Sequence, residues 1–402
     1  MSPRRVAVTG IGVFNACGSS REAFWQSMRE GLCGISPLEQ FPDMRFANAA
    51  HIRDYEPALY FEQKEIDALD PFAQYALIAA REAVLQARIP WTDALRRSSG
   101  VITGSCLGGK PTEDAGFRKL YQDGQTRFHP MIIPRTMANA ATSHIGMEFG
   151  LTGASFTLST ACSSANHALA LAFWLVRQGT LELALAGGSE APFTTAHLRA
   201  WEALRVVSPD TCRPFSKDRR GMILGEGSAM LVLEPLESAV ARGATVLCEI
   251  AGAGMNADAH HITQPSIDGA SNAMRLALDD AGLKPGSIGY INAHGTGTQA
   301  NDVAETRAIR HLFGSHADRL AVSSTKSMHG HALGAAGALE AAATVMALHH
   351  GILPPTANFT ASDPECDLDV IPNQSRAAAV QYALSNSFAF GGLNAVLAFR
   401  RA

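Results

Sequence analysis

Residues 156–178 read FTLSTACSSANHALALAFWLVRQ. A short β-prone run, Ser155–Ser159, ends in small residues, and an apolar helix over Ala165–Gln178 follows at once. Because that helix is apolar nearly all round, it is a buried helix rather than a surface one. The same order of strand, tight turn and helix recurs along the chain. Val6–Val13 (VAVTGIGV) reads as a buried strand, and Phe72–Arg88 as a helix with apolar residues at helical spacing. Gly100–Ser105 reads as strand and turn, and Leu181–Gly188 as a strand ending in paired glycines. Alternating strands and helices predict an α/β architecture with its sheet covered on both faces.

The pattern restarts near residue 245. Val246–Met255 (VLCEIAGAGM) echoes Val6–Val13, and Ala270–Leu283 is again an amphipathic helix. Residues 159–172 (STACSSANHALALA) and 323–336 (SSTKSMHGHALGAA) match at six of fourteen positions, at a constant offset of 164. With the repeated element order this favours an internal duplication, with halves 1–242 and 243–402. No low-complexity linker separates them, so a single packed unit is expected.

The 402 residues carry 33 Lys+Arg against 37 Asp+Glu, a formal charge of -4, with 47% hydrophobic residues. That hydrophobic content excludes intrinsic disorder. The weakly negative balance argues against nucleic acid as a partner, since that affinity rests on clustered Lys and Arg. Seven scattered Cys with no CxxC pair form neither a disulfide framework nor a zinc knuckle, and suit a reducing, cytoplasmic setting. No uncharged apolar stretch approaches about 18 residues, and the N-terminus lacks a secretory pattern, so no membrane insertion is expected.

Several motifs fail on inspection. Gly10-Ile11-Gly12 lacks the third glycine of a dinucleotide fingerprint, since position 15 is Asn15. Gly104–Lys110 begins like a phosphate loop, but Pro111 supplies no hydroxyl for Mg²⁺. The pairs His260-His261 and His349-His350 lack metal-ligand spacing. No metal site is expected.

One constellation holds together. Cys162 sits where a strand meets a helix N-terminus, whose free N–H groups and dipole favour a thiolate. A small buried hydrophobe is the commoner fate of a Cys, and the second half decides against it. There Tyr290–Thr298 (YINAHGTGT) delivers His294 at a strand end, beside Gly and Thr. Val322–Glu340 (VSSTKSMHGHALGAAGALE) offers Lys326 and His331 at the equivalent junction, and the charge of Glu340 in an apolar helix needs a partner. Asn386–Asn394 (NSFAFGGLN) is a Gly-rich loop whose N–H groups can complete an oxyanion hole. One Cys, two His, a Lys and a Glu suit acyl transfer through a thioester, with neutral imidazoles stabilising an enolate.

These segments resemble the elongating, synthase-II-like β-ketoacyl-acyl-carrier-protein synthases over nearly the whole chain. The likeness covers TACSS at 160–164, NAHGTGT at 292–298, SSTKSMHGHALGAAGALE at 323–340 and NSFAFGG at 386–392. It extends to VTGIG at 8–12, LAGGSEA at 185–191 and RPFSKDRRGMILGEGSAMLVLE at 213–234. The resemblance implies a thiolase-like fold of duplicated αβαβα halves, a homodimer, and acyl carrier protein as partner. It implies decarboxylative condensation of a malonyl thioester with an acyl group on Cys162. His294 and His331 would bind and decarboxylate the malonyl group, with Lys326 and Glu340 organising the site. Thr296 and Thr298 would contact the pantetheine arm, and Phe390 would gate and, with Cys162, supply oxyanion N–H groups. Leu107 would end the acyl pocket. No resident cofactor is implied, because phosphopantetheine arrives on the carrier.

The second His separates this set from initiating synthases, which resemble a Cys-His-Asn set. The absence of a terminal Cys near Gly391 separates it from thiolases, and the presence of Cys162 from inactive chain-length partners. Cys366, in SDPECDLD, reads as surface. Ala389 and Leu393 stand where housekeeping members tend to carry Gly and Thr, so loop opening is expected to differ. The segment KEIDALDPF (64–72) holds one basic residue, Lys64, which weakens the docking patch expected for an acidic carrier; Arg127, Arg135 and Arg205 are alternative contributors. Residues 200–216 and 354–370 are especially similar to nodulation-E-type synthases, which elongate specialised acyl chains.

Overall fold

The computed structural model describes residues 3–402. Ten strands carry the architecture: β1 (Val6–Asn15), β2 (Ser99–Gly104), β3 (Phe156–Leu158), β4 (Leu183–Glu190), β5 (Gly227–Pro235), β6 (Cys248–Ala257), β7 (Tyr290–Asn292), β8 (Ala321–Ser323), β9 (Tyr382–Phe388) and β10 (Leu393–Arg401). They hydrogen-bond in the order β8-β7-β9-β10-β6-β1-β5-β4-β2-β3. Outward from the β6–β1 junction the two sides are alike. Each runs through two antiparallel pairings and then two parallel ones. The repeat inferred from 6–13 and 246–255 is therefore a repeat of topology.

Six helices cover the strands: α1 (Pro71–Ala87), α2 (Ala140–Phe149), α3 (Ser164–Arg177), α4 (Ile267–Ala281), α5 (Gln299–Phe313) and α6 (Ala336–His350). Side chains alternate between layers because successive residues of a strand face opposite ways. Ala184 and Ala186 of β4 join Leu231 and Leu233 of β5 in packing on α3 and α6, while Leu185 and Val232 face α1. On the far side, Leu384 and Val396 face α4 and α5. Both α3 and α6 touch strands of the two halves and so lie between them, giving helix, sheet, helix, sheet, helix.

The glycines of the failed dinucleotide motif explain the close layering. A Cβ on Gly12 would lie 1.8 Å from Ala79 O, and one on Gly10 2.1 Å from Ala83 O. Gly254 repeats this in the second half, with Ala273 O at 2.3 Å. The repeated glycines bring the Ala-rich helices α1 and α4 down onto the sheet. Helix α1 begins one residue before the expected span, at Pro71, with the Asp70 side chain accepting the Phe72 N–H.

The sequence match at offset 164 holds only in part. Strands β3 and β8 begin at 156 and 321, but helices α3 and α6 begin at 164 and 336. The second half thus has extra residues between strand and helix, folded as a short helix (Lys326–His329) and a 3₁₀ turn (Leu333–Ala335). The identity of His167 with His331 is not structural: His167 lies inside α3, and His331 in the extra segment. Cys366 is a second correction. It is 5% exposed, packed with Phe215 and Leu368 rather than at the surface.

Candidate active site

Cys162 lies in the turn between β3 and α3. The preceding Ala161 has φ +52°, a left-handed conformation that costs a non-glycine residue roughly 1 kcal/mol. Neighbouring hydroxyls hold it. Thr160 N–H donates to Ser164 Oγ (2.9 Å), which donates to Ala161 O (2.6 Å). Ser163 Oγ lies 2.8 Å from both Thr160 O and Leu393 O, pinning the turn to the terminal loop. That loop aims the Phe390 N–H at the Cys162 sulfur. Burial pushes the thiol up to about 11, while the Lys326 charge and the Phe390 N–H pull it back. Desolvation thus outweighs the positive groups around the sulfur and opposes the thiolate that a helix N-terminus favours.

His294 follows β7. Its backbone N–H and that of Gly295 donate to the buried Glu305 carboxylate (2.9 and 2.8 Å). Lys326 Nζ donates to His294 O (2.7 Å), faces His294 Nδ1 at 3.3 Å, and is ion-paired with Glu340. All three ammonium protons are thereby engaged, so Lys326 has none free for a substrate. His331 donates its N–H to Ile223 O (2.7 Å), and its Nδ1 accepts the Leu333 N–H (3.2 Å). In both rings Nδ1 faces a donor, so each neutral imidazole carries its proton on Nε2. The rings are nearly perpendicular (86°) with centroids 5.5 Å apart.

Burial first, and Lys326 second, hold both imidazoles well below the ordinary histidine value. Histidine-selective ¹⁵N spectra at pH 6 should show both rings neutral with the proton on Nε2; an imidazolium signal from either would contradict this electrostatic account.

Cys162, His294 and His331 open onto one cavity of ≈350 Å³, lined also by Thr296, Thr298 and Phe390. Phe390 is stacked on Trp201 (centroids 6.4 Å apart, 25°) at the mouth, where Leu204 and Ile262 are exposed. Gly391 and Gly392 take φ +84° and +71°, and Ala389 does not, so the alanine adds no strain in this conformation. Leu107, Lys326 and Glu340 do not line the cavity themselves. Lys326 and Glu340 lie behind His294, and Leu107 packs in the apolar cluster whose Trp201, Val206 and Met222 line the cavity.

Two groups at the site were not singled out from the sequence. Glu305 also accepts from Asn386 Nδ2 (3.0 Å) and, at 3.5 Å, from Asn301 Nδ2. Its signal is present in NDVAETRA (301–308), where Asp302 and Glu305 share one face of a helix right after HGTGT. Glu190, the last residue of β4, is the second. Among the described residues no group of three or more His, Cys, Asp or Glu is placed to hold a metal ion, and no helix is long and apolar enough to cross a membrane.

A buried thiol facing two Nε2–H imidazoles between duplicated halves defines a thiolase-fold condensing acyltransferase. Residues 3–239 match the β-ketoacyl synthase N-terminal domain and residues 247–360 the C-terminal domain, so the chain belongs to the β-ketoacyl synthase family. It is 47% identical over 400 residues to Nodulation protein E of Rhizobium sp., covering 99% of each chain. It is 41% identical over 411 residues to 3-oxoacyl-[acyl-carrier-protein] synthase 2 of Synechocystis sp., covering 100% of this chain and 99% of the relative. Among solved structures, the ishigamide ketosynthase/chain length factor superposes with TM-score 0.94 at 36% identity, covering all of both chains. A type II polyketide synthase ketosynthase, solved with its acyl-carrier protein, superposes with TM-score 0.90 at 31% identity, also over all of both.

Proposed function

We propose that the chain elongates acyl groups by decarboxylative Claisen condensation with malonyl-carrier protein, and that the residues act as follows. The Cys162 sulfur attacks the thioester of an acyl-carrier, and its proton leaves with the carrier thiol. Malonyl-carrier then enters with its pantetheine arm along Thr296 and Thr298. The Nε2–H groups of His294 and His331 donate to the malonyl thioester carbonyl, so loss of CO₂ leaves an enolate held by two hydrogen bonds. Its carbon attacks the acyl-Cys162 carbonyl. The N–H groups of Cys162 and Phe390 hold the tetrahedral oxyanion, and collapse expels the Cys162 sulfur, which takes a proton. The product is a β-ketoacyl-carrier.

The observation that carries this reading is the shared cavity, with one thiol and two imidazole donors on its wall. The enolate and the oxyanion both have donors on this chain, so the scheme calls on no resident cofactor. Residues 1–242 are read as the half bearing the nucleophile, and 243–402 as the half bearing the imidazoles. A homodimer acting in the cytoplasm fits the exposed apolar residues Phe117, Tyr121, Ile133, Met137 and Met147 and the seven unpaired cysteines. Arg205, between mouth residues Leu204 and Val206, is suited to an acidic carrier, and the likeness to Nodulation protein E supports a specialised acyl product.

Incubation with acyl-carrier protein should add one acyl mass to the peptide containing Cys162 and to no other cysteine peptide. Intact-protein and peptide mass spectra check this, and an unmodified Cys162 would overturn the assignment.

A further inference from the structure

Glu190 ends β4 in the first half and is 0% exposed, yet no basic side chain is paired with it among the described residues. Burial pushes its carboxyl up to about 7, and only neutral donors face it to favour the carboxylate. One carboxylate oxygen accepts from Ser105 Oγ (3.0 Å) and the Leu107 N–H (3.2 Å). The other accepts from the Cys106 N–H (2.9 Å), the Cys106 thiol (3.1 Å) and the Gly334 N–H (3.1 Å). Four of these donors belong to the loop after β2, in the first half. The fifth, Gly334, belongs to the 3₁₀ turn of the second half.

That turn is the one that fixes His331. Leu333 takes φ +47°, strained for a branched side chain, while its N–H stays on His331 Nδ1. A strained residue persists only where its surroundings hold it. On one side Leu333 is tied to His331, and on the other the Gly334 N–H is tied to Glu190. A Cβ at Gly334 would lie 2.4 Å from the Glu190 carboxylate and 2.5 Å from Cys106 N, so glycine is required for the contact.

We propose that Glu190 is a positioning residue for decarboxylation: it clamps the Leu333–Gly334 turn so that His331 keeps its proton on Nε2, facing the malonyl carbonyl. This rests on the role given to His331 above. Glu190 touches neither substrate nor ring.

The Glu190→Gln change turns two amide protons toward groups that are themselves donors, and so releases part of the turn. Malonyl decarboxylation should lose about 10–100-fold in kcat, with KM for malonyl-carrier within about threefold. Acylation of Cys162 should continue. The ¹⁵N spectrum of His331 should show both tautomers in place of one. A folded variant with a single Nε2–H tautomer and unchanged kcat would overturn the proposal, because a merely structural role lowers stability without moving the tautomer.

If Glu190→Gln does not fold, Gly334→Ala displaces the same contact from the other side, pressing on the Glu190 carboxylate and the Cys106 N–H, and should give the same split. His331→Ala is the control. If it still decarboxylates, the reading of His331 fails; if it is inactive while Glu190→Gln is unimpaired, only the clamp fails.

Discussion

Replacing Cys162 with glutamine should abolish condensation and leave malonyl decarboxylation running. The first half of this outcome follows from the nucleophile. Without the sulfur no acyl thioester forms, and the loss should be on the order of 10⁴–10⁶-fold, as for removal of a nucleophile elsewhere. The second half follows from where the other groups sit. His294 and His331 are positioned by Lys326, Glu305, Ile223 O and the Leu333 N–H, none of which depends on the sulfur. The glutamine amide carbonyl can reach the Phe390 N–H and occupy the place of an acyl thioester, so the malonyl half-site stays closed. Cys162→Ala, which lacks that carbonyl, should be equally dead in condensation. Release of CO₂ from malonyl-carrier, measured beside formation of the β-ketoacyl product, separates the two steps. A β-ketoacyl product from either variant would remove Cys162 from the mechanism.

Much of this site is legible in the sequence because its chemistry sits at strand ends. Small residues and glycine after a β-run announce such ends, and Cys162, His294 and Lys326 all follow one. The layers are legible for a related reason, since glycines at 10, 12 and 254 mark where a helix backbone meets a strand. What escapes notice is set by tertiary reach. Glu190 closes a β-strand in LAGGSEA and resembles an ordinary polar strand end. Its function depends on Gly334, 144 residues away. Leu107 is placed by resemblance alone; Glu190 holds its backbone, and its side chain packs in a cluster whose Trp201, Val206 and Met222 line the cavity. Cys366 looks exposed among acidic neighbours, and only the packing of Phe215 and Leu368 around it shows otherwise.

The largest effect on stability is expected at the Lys326–Glu340 pair, both members of which are 0% exposed. Removing one member, as in Glu340→Leu or Lys326→Met, strands the other charge in an apolar helix layer. The cost should be about 3–5 kcal/mol, because an uncompensated buried charge cannot regain its hydration. The double variant Lys326→Met/Glu340→Leu removes both charges and should recover most of that loss. Glu305 stays satisfied in it by the N–H groups of His294 and Gly295 and by Asn386 Nδ2. Activity should not recover. Without Nζ at its Nδ1 and carbonyl, the His294 ring is free to change tautomer and to turn, and decarboxylation should stay down by about 10–100-fold. Denaturant midpoints and CO₂ release on the three variants test the two halves separately. A double variant as unstable as either single would show that stranded charge is not the cause of the loss. A double variant both stable and active would show that the pair does nothing for the imidazole. The expected pattern, stable but slow, would mean that a buried ion pair is kept here for the orientation it imposes on His294 and not for the stability of the fold.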